Sequence, residues 1–373
     1  MKRKKRKKLW LRVLLLCMAG IIGASSYFIY QVWGAVDQSY DPLNRQKSEM
    51  RQEEVTMKDP FTVMFVGTDV RNADTQNWRA DVIMIAAVNP EKKSIELLSI
   101  PRDTLTEIQN SNGVKTKINA APYYGIQSGV GPMTNTVSTV EHFLNIPIDY
   151  YVKVNFNGFI DVVDAVGGVD VNVPFDFSVR LFNKMQYYEK GPAHLDGMRA
   201  LGYVRMRKSD PRGDLGRNMR QREVIQAVMD EAVSIKSVTK IDDILKSVGN
   251  NVTHNMQIDQ LLALQNIYRK IPKDHLETLK MNGENSNNNP RGIWYYIVSD
   301  QERLRLSNII RKQLELPTQT LDGRPYDPPE TQEPDPNTET APDPSGTGTQ
   351  DGSPAPGQAP ADTTGSTTEN GNE

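Results

Sequence analysis

Residues 198–225 carry seven arginines, and the types and spacing of these side chains indicate an anion-binding site. If residues 202–207 are extended, the two-residue period of a strand places Arg205 and Arg207 on one face. The segment DPRGDLG that follows predicts a turn, because proline fixes its own φ and glycine permits positive φ. A solvated basic surface is the alternative, but the shared face of the two arginines favours an anion site.

A helix is predicted after this turn, and its apolar stripe continues backwards into polar residues. Val224 and Val228 lie one turn apart, and Gln221 and Arg217 extend the same stripe towards the N-terminus. A guanidinium on a face that enters the core needs a partner, and its planar donor fork fits a carboxylate or a phosphate. The predicted arginine cradle consists of Arg205, Arg207, Arg217 and Gln221.

A second group of charged residues lies where the predicted strands end. Asp69 follows the first strand, Asp81 precedes the second, and Arg102 follows the third. If the first two strands are antiparallel, both aspartates lie at one end of the sheet, which is where open α/β sheets bind ligands. Two carboxylates suit Mg2+, which prefers oxygen ligands and shares its coordination with phosphates. Each aspartate alone is more typical of a turn, so the prediction depends on these stretches occurring together.

The elements that must position these groups alternate between strands and helices. Short apolar runs predict strands at residues 61–67, 82–88, 95–100, 148–154 and 169–173. Helical patterns occupy residues 132–144, 156–166, 261–271 and 301–314. The alternation predicts an α/β fold, a layered mixed sheet flanked by helices on both faces. Near-continuous apolar sequence in the first two strands predicts that both of their faces are buried.

The two ends of the chain differ from its neutral middle in charge. Residues 1–36 contain eight Lys or Arg and no acidic residue, whereas residues 321–373 contain eleven acidic residues and only one arginine. Residues 1–12 are predicted to be a cytoplasmic basic segment, and the 24 uncharged residues 13–36 a transmembrane signal-anchor helix. Such a helix spans about 36 Å, more than the ~30 Å hydrocarbon core of a bilayer. A cleaved signal peptide is the alternative, because small residues occur at 23–26.

The part of the chain beyond the predicted anchor divides into three segments. Residues 37–60 are a polar juxtamembrane connector, residues 61–317 one extracytoplasmic domain, and residues 318–373 a disordered acidic tail rich in Pro, Thr and Gly. The single cysteine, Cys17, lies in the predicted anchor, so no disulfide is expected within one chain. The four histidines are too scattered to predict a zinc site, and no GxGxxG or GxSxG motif occurs.

With these residues identified, the chain resembles the LytR–CpsA–Psr (LCP) family of bacterial envelope proteins. The matching stretches, in the family's order, are VMFVGTDVR, RADVIMI, SIPRDT, KTKINAA, IPIDYYVKVNFNGF, VVDAVGGVDVNVP and HLDGMRALGYVRMRKSDPRGDLGRNMRQ. Together they span residues 63–221. Two departures occur: Ala80 and Val82 stand where hydroxyl residues often flank the aspartate at position 81, and Pro122 interrupts the run after KINAA.

The resemblance implies a phosphotransferase that moves an anionic glycopolymer, such as wall teichoic acid or capsule, from undecaprenyl pyrophosphate to peptidoglycan. It implies that Asp69 and Asp81 hold Mg2+. The pyrophosphate-binding residues that it implies are Arg102, Arg205, Arg207, Arg217 and Gln221, with Lys117 and Asp214 nearby. A muramic acid 6-hydroxyl is the expected nucleophile, and Asp81 and Asp214 are candidate general bases. Catalysis would then consist mainly of positioning and of charge stabilisation by arginine and Mg2+.

Two other functions remain open at this point. A lipid-pyrophosphate hydrolase would use the same site with water as the acceptor. A membrane-bound regulator would use the basic run at residues 2–8 to contact nucleic acid. Membrane anchoring explains that run without DNA, and a domain outside the membrane cannot contact DNA. The expected partners are therefore the lipid-linked polymer, peptidoglycan and the membrane, with no nucleic acid.

Overall fold

The computed structural model describes residues 39–70, 77–207, 209–234, 249–290 and 292–320, without the side chains of residues 214, 215, 233, 234, 250 and 258. The strands of the central sheet are β1 (Phe61–Thr68), β2 (Ala80–Asn89), β3 (Ser94–Ile100), β6 (Tyr150–Val154), β11 (Val252–His254) and β12 (Leu276–Leu279). The other strands are β4 (Leu105–Glu107), β5 (Lys115–Lys117), β7 (Val169–Val173), β8 (Phe177–Leu181), β9 (Lys184–Tyr188), β10 (Gly191–Leu195), β13 (Glu284–Ser286) and β14 (Tyr295–Ile297). The α-helices are α1 (Ala121–Ser128), α2 (Pro132–Leu144), α3 (Phe156–Val166), α4 (Gly197–Arg205), α5 (Asp214–Ser234), α6 (Ile258–Arg269) and α7 (Asp300–Gln313).

The central sheet has six strands in the order β11-β6-β1-β2-β3-β12 and mixes parallel with antiparallel pairs. β1 runs antiparallel to β2, which runs antiparallel to β3, and β1 runs parallel to β6. The C-terminal ends of β6, β1 and β3 therefore meet the start of β2 at one end of the sheet, here called the site end. The antiparallel pairing of the first two strands, the condition for bringing Asp69 and Asp81 to one end of the sheet, is therefore met.

Both faces of the sheet are buried, as the apolar strand sequences predict. On one face, Met64 and Val66 belong to a buried cluster with Val137 of α2 and Ile310 of α7. On the other face, Val63 belongs to a cluster against which α5 and α6 pack. Burying large aliphatic side chains contributes roughly 1.5–3 kcal/mol each, so these two layers supply the main driving force for the fold. The predicted layered α/β architecture is confirmed.

Local sequence signals place the helix that follows β6. The side chain of Asn155 caps α3 by accepting a hydrogen bond of 2.8 Å from the backbone N–H of Gly158. The helix ends where Gly167 adopts a φ of +98°, a conformation that costs glycine little. The helix predicted at residues 156–166 is therefore confirmed at both ends. Because β6 is parallel to β1, α3 begins at the site end of the sheet.

A smaller layer packs around its own core beside the sheet. Its buried residues come from β7–β10 and from the helices α3, α4 and α5, with Val169, Leu195 and Tyr203 fully enclosed. The strand predicted at residues 169–173 is present, but it pairs with β10 in a separate two-stranded ribbon. β8 and β9 form a second ribbon in this layer.

The strand expected at residues 202–207 does not form, and this prediction is wrong. Residues up to Arg205 belong to α4, which begins after Asp196, whose side chain accepts a hydrogen bond of 2.8 Å from the backbone N–H of Arg199. The buried residues of the helix recur at helical spacing, at Ala200, Leu201 and Val204. The Asp196 cap and this apolar stripe favour a helix more strongly than the alternation of polar and apolar side chains at residues 203–207 favours a strand.

The segment expected to be a connector packs against the domain from residue 39 onwards. Arg45 pairs with Glu141 of α2 at 2.6 Å, and Arg51 pairs with Asp149 at 2.6 Å. At the other end, Gln319 accepts and donates hydrogen bonds with Asn308 and Asn145, so ordered packing continues past residue 317. The predicted segments 1–12 and 13–36 and the tail from 321 lie outside the described residues. In the part of the chain that is described, no helix is long and apolar enough to span a membrane.

Glu96 of β3 is expected to destabilise the fold at alkaline pH. It pairs across the sheet with Glu277, and its Oε2 is buried without a hydrogen-bond partner among the described residues. Burial and the Glu277 charge raise the pKa of Glu96 from 4.5 to about 7. Between pH 4.5 and about pH 7 the unfolded chain releases this proton more readily than the folded chain does, so the free energy of unfolding falls as the pH rises. This stabilising contribution is lost completely above about pH 7.

We therefore expect Glu96→Gln to raise the melting temperature by a few degrees at pH 8 and to leave it unchanged at pH 4. Thermal melts followed by circular dichroism measure this difference, with the exposed turn residue Glu91 changed to Gln as a control. An equal effect of Glu96→Gln at both pH values would show that the carboxylate charge is not the cause.

Candidate active site

The two predicted metal-binding aspartates lie on neighbouring strands at the site end. β1 and β2 pair up to Thr68 and Ala80, and the register shift after Gly67 leaves Asp81 unpaired inside β2, between the partners of Gly67 and Thr68. The sequence predicts Asp81 before this strand, but it is the second residue of β2, whereas Asp69 follows directly after β1. The exposed Asp69 accepts a hydrogen bond of 3.3 Å from the backbone N–H of Arg79. This bond orients one carboxylate oxygen without adding a neighbouring charge.

A chain of alternating charges continues from Asp81 along the site end. The Arg102 Nη1 lies 3.0 Å from Asp81 Oδ1, and its Nε lies 3.6 Å from Asp103 Oδ2. Lys117 Nζ lies 2.9 Å from Asp103 Oδ1, which places the last residue of β5 in the same group. Each of these side chains is about a quarter exposed, from 24% to 28%. The carboxylates thus hold the cations in place while leaving them accessible to an anionic ligand.

Arg205 and Arg207 flank the buried Met206 and are both exposed. Arg205 and Arg207 therefore lie on one side of the chain, as predicted. They do so because Met206, which follows α4, is extended, and not because the segment forms a strand. The Arg205 guanidinium lies 4.4 Å from the ring centroid of Phe156, the first residue of α3. The Phe156 backbone N–H donates to the Val70 carbonyl at 3.3 Å, immediately after Asp69. Arg205 therefore lies at the site end of the sheet.

Arg217 and Gln221 lie one turn apart on α5, and both are half-buried. The most deeply buried face of this helix is formed instead by Gly216, Arg220 and Val224. The two predicted cradle residues border this face, so they are held by packing but still reach the surface. The side chain of Asp214 at the start of α5 lies outside the described residues.

A buried ion pair that the sequence analysis did not identify supports the turn between α4 and α5. Arg220 is 1% exposed, and its guanidinium donates to the Asp210 carboxylate and to the backbone carbonyls of Tyr203 and Met206. The Arg212 Nε donates to Asp210 at 3.1 Å. Burial opposes ionisation of Asp210, but the hydrogen bonds from Arg212 and Arg220 outweigh it and hold its pKa at about 2.

Close packing against Asp210 also explains the glycine that precedes Arg217. A Cβ at Gly216 would lie 1.9 Å from Asp210 Oδ2, which is closer than any non-bonded contact allows. α5 can therefore approach the turn only with glycine at this position. In the sequence, Gly216, Arg220 and Val224 recur at four-residue spacing, which indicates one face of a helix. This spacing does not reveal that Arg220 pairs with Asp210, ten residues earlier in the chain.

A narrow apolar groove lies between the sheet and the two helices α5 and α6. Its lining includes Val63, Phe65, Ala86, Met229, Leu264 and Tyr268. α5 connects the groove to the cradle, because Arg217 and Met229 are twelve residues apart on this helix, or ~18 Å along its axis. One element thus carries a cationic end and an apolar end. No local sequence pattern identifies this lining, because its residues come from several strands and two helices.

The site end thus contains two groups of charged side chains. The first consists of Asp69, Asp81, Arg102, Asp103 and Lys117. The second is the predicted cradle of Arg205, Arg207, Arg217 and the uncharged Gln221, of which the contact of Arg205 with Phe156 places Arg205 beside the first group. Among the described residues no group of three or more His, Cys, Asp or Glu side chains could hold a metal ion. The assignment of these residues to magnesium and pyrophosphate stays a prediction.

Comparisons with known proteins agree on one family. A model of the LytR_cpsA_psr family matches residues 26–312. The Bacillus subtilis polyisoprenyl-teichoic acid–peptidoglycan teichoic acid transferase TagV is 38% identical over 326 residues, which cover 85% of this chain and 82% of TagV. Its crystal structure has a TM-score of 0.61 and covers 70% of this chain and 99% of that structure.

Two further proteins are similar to this chain over most of their length. The transferase TagU from Oceanobacillus iheyensis is 40% identical over 314 residues, which cover 82% of this chain and 95% of TagU. A structure of TagT bound to LI-WTA has a TM-score of 0.60 at 28% identity, and the match covers 74% of this chain and all of that structure (100%).

Proposed function

Because this chain belongs to the LytR–CpsA–Psr family, we propose that it is a phosphotransferase that attaches an anionic glycopolymer to peptidoglycan. The donor is the polymer on an undecaprenyl pyrophosphate carrier, and teichoic acid is the polymer that the names of TagU and TagV indicate. The observation that carries this proposal is the convergence of Arg102, Lys117 and Arg205 with Asp69 and Asp81 at one end of the sheet, which suits a polyanionic head group. α5 runs from the arginine cradle to the apolar groove, which holds only about 10 Å³ and would have to widen to admit a lipid tail.

The charged side chains suit a transfer in which negative charge develops on phosphoryl oxygens. Arg205, Arg207, Arg217 and Gln221 bind the pyrophosphate, and guanidinium groups do so with paired hydrogen bonds. Arg102 and Lys117, held by their aspartate partners, add positive charge on the side of β3. Because these groups are already positioned, they stabilise the transition state without reorganising.

In the transfer step a hydroxyl oxygen of the acceptor glycan forms a bond to the polymer-side phosphorus. The bond from this phosphorus to the bridging oxygen breaks, and undecaprenyl phosphate leaves with that oxygen. The hydroxyl proton must also leave, and either Asp81 or Asp214 is the carboxylate that we propose accepts it. The cradle arginines bind the charge of the leaving phosphate.

The residues present fit Mg2+, which we propose as the cofactor. Asp69 and Asp81 supply carboxylate oxygens at the same end of the sheet, and of the two only Asp81 makes an ion pair with an arginine that the structure describes. Mg2+ is often held by one or two carboxylates together with water and substrate phosphates, so two protein ligands are sufficient. When bound, it would neutralise charge on the phosphoryl oxygens.

Asp69→Asn is expected to weaken metal binding without unfolding the protein. Asp69 is exposed, and among the described residues its carboxylate accepts one backbone hydrogen bond, so the change removes a charge but little packing. With Mn2+ as an electron paramagnetic resonance probe, we expect a rise of about tenfold or more in the metal dissociation constant when inorganic pyrophosphate is present. Glu91→Asn serves as the control. Unchanged Mn2+ affinity with Asp69→Asn would remove this residue from the metal site.

The proposal includes membrane anchoring by residues 13–36, with residues 1–12 in the cytoplasm and the domain outside. This topology brings the site to the side of the membrane where peptidoglycan is found. Protease added to intact protoplasts should remove the domain. Protection of the domain until lysis would contradict this topology, and it would favour the regulator alternative.

Reconstitution separates transfer from hydrolysis. The purified full chain is mixed with lipid-linked teichoic acid precursor and a soluble peptidoglycan glycan, and products are identified by mass spectrometry. We expect polymer joined to the glycan by a phosphodiester, and undecaprenyl phosphate as the second product. Polymer released with a free terminal phosphate, in equal amount with and without glycan, would identify a hydrolase.

A further inference from the structure

Trp294 directly precedes β14, and 58% of its surface is exposed. Within the described residues, only Tyr187 among the large apolar side chains is more exposed, at 69%. A single exposed apolar side chain needs no functional explanation by itself. Trp294 differs from other exposed apolar residues in its surroundings. Hydrogen bonds fix the backbone on both sides of it, and the segment beside it carries residues of the candidate site.

Two sets of hydrogen bonds fix the backbone on either side of Trp294. Before it, the Asn289 side chain closes a turn by donating to the Ile293 carbonyl at 2.7 Å and accepting from the Ile293 backbone N–H at 3.2 Å. After it, the Tyr296 hydroxyl donates to the Met281 carbonyl at 2.9 Å, and the ring packs against the buried core. The indole is therefore presented on a rigid support and is not part of a frayed end.

The same segment is attached directly to the charged chain of the site. The backbone N–H of Tyr296 donates to the Asp103 carbonyl at 2.8 Å, and Tyr296 forms a parallel bridge with Thr104. Trp294 lies two residues before Tyr296, and Arg102 lies two residues before Thr104, in a turn that Thr104 closes by donating its backbone N–H to the Pro101 carbonyl at 3.0 Å. Two residues span at most ~6.6 Å, so the backbone of Trp294 is close to Asp103, whose carboxylate pairs with Arg102 and Lys117.

Trp294 lies on the opposite side of Asp81 from the arginine cradle. Along the site end, Arg205 contacts Phe156, two residues after β6, whereas Tyr296, two residues after Trp294, donates its backbone N–H to Asp103, three residues after β3. Three strand steps of ~4.8 Å separate β6 from β3, which places about 14 Å between these two ends. The pyrophosphate and lipid of the donor occupy the cradle and the groove in the proposed function, so the side with Trp294 is open to the second substrate.

We propose that Trp294 is a stacking platform for a sugar ring of the acceptor glycan, an inference that rests on the proposed function. An indole offers a flat apolar face with a polar edge. The C–H face of a pyranose ring covers such a surface, while its hydroxyls bond to nearby amides. Asn285, Asn287 and Asn288 supply exposed amides on the same segment. A glycan bound here would present a hydroxyl towards the Asp81–Arg102 pair.

Direct binding tests this inference without any donor. Isothermal titration of the full chain in detergent uses a soluble tetrasaccharide of alternating N-acetylglucosamine and N-acetylmuramic acid. We expect Trp294→Ala to raise the dissociation constant about tenfold, equivalent to ~1.4 kcal/mol, and Trp294→Phe to raise it less, because an aromatic face remains. Tyr187→Ala, which removes an even more exposed aromatic side chain, should leave the dissociation constant unchanged. Equal affinities of wild type and Trp294→Ala would overturn the inference.

Transfer kinetics separate this inference from the proposed function. We expect Trp294→Ala to raise the KM for the glycan about tenfold, with the KM for the lipid-linked donor and the melting temperature unchanged. If the wild type transfers polymer but Trp294→Ala has the same glycan KM, the inference fails and the proposed function stands. If the wild type does not transfer polymer, the proposed function fails, and the titration still decides whether Trp294 binds glycan. A rise in donor KM alone would place the indole in the donor site and overturn the inference.

Discussion

Replacing Arg220 with methionine is expected to lower the free energy of unfolding by about 3–5 kcal/mol, which is the usual cost of leaving one partner of a buried ion pair alone. The change leaves the Asp210 carboxylate, which is 0% exposed, without its main buried partner. It also leaves the carbonyls of Tyr203 and Met206 without a donor. Urea denaturation followed by circular dichroism measures the loss through the shift in midpoint.

Arg222→Met is the matched control, because Arg222 lies two residues further along α5 and is half-buried without an ion pair among those the structure describes. It should cost less than about 1 kcal/mol. Combining Arg220→Met with Asp210→Leu should recover part of the loss, since neither charge then remains buried alone. A loss below about 1 kcal/mol for Arg220→Met would show that this pair does not support the turn.

Arg217→Ala is expected to reduce transfer by roughly 10- to 150-fold while leaving the melting temperature unchanged. A hydrogen bond from a charged group contributes about 1.5–3 kcal/mol, and each ~1.4 kcal/mol is a factor of ten in rate or binding. Similar losses are expected for Arg205→Ala and Arg207→Ala. Arg217→Lys should recover only part of the activity, because an ammonium group lacks the two-pronged donor geometry.

Arg180→Ala, which changes an exposed arginine on β8, is the control for general loss of positive charge. The melting temperatures and transfer rates of all variants are compared. If the cradle variants melt at much lower temperature but the folded fraction turns over at the wild-type rate, these arginines are structural. The stability of Arg217→Ala and that of Arg220→Met then distinguish two roles within one turn of α5.

Much of the sheet was predictable because its signals are local. The helices at residues 132–144 and 156–166 were predicted at the observed bounds, since proline or an asparagine cap begins each and a left-handed residue follows each. The strands β1, β2 and β3 were predicted within two residues at each end, because buried apolar runs end at polar residues. Antiparallel pairing then placed Asp69 and Asp81 at one end of the sheet.

The features that were missed depend on partners distant in sequence. Residues 169–173 form a strand, but whether it joins the main sheet depends on β10, whose sequence is only weakly apolar. Arg220 resembles the other arginines of its stretch, and only the folded turn shows that it is buried against Asp210. The contact between Tyr296 and Asp103 joins residues about 190 positions apart, so no local pattern indicates that Trp294 is beside the site.

The most direct test of the proposed transfer is to run the reaction in ¹⁸O-labelled water and to determine where the label enters. If a glycan hydroxyl attacks the polymer-side phosphorus, the phosphodiester between polymer and glycan contains no ¹⁸O. The undecaprenyl phosphate that leaves contains none either, because it keeps the bridging oxygen of the pyrophosphate. Polymer bearing a terminal phosphate with one ¹⁸O atom, without a glycan-linked product, would contradict the proposed transferase and establish water as the acceptor.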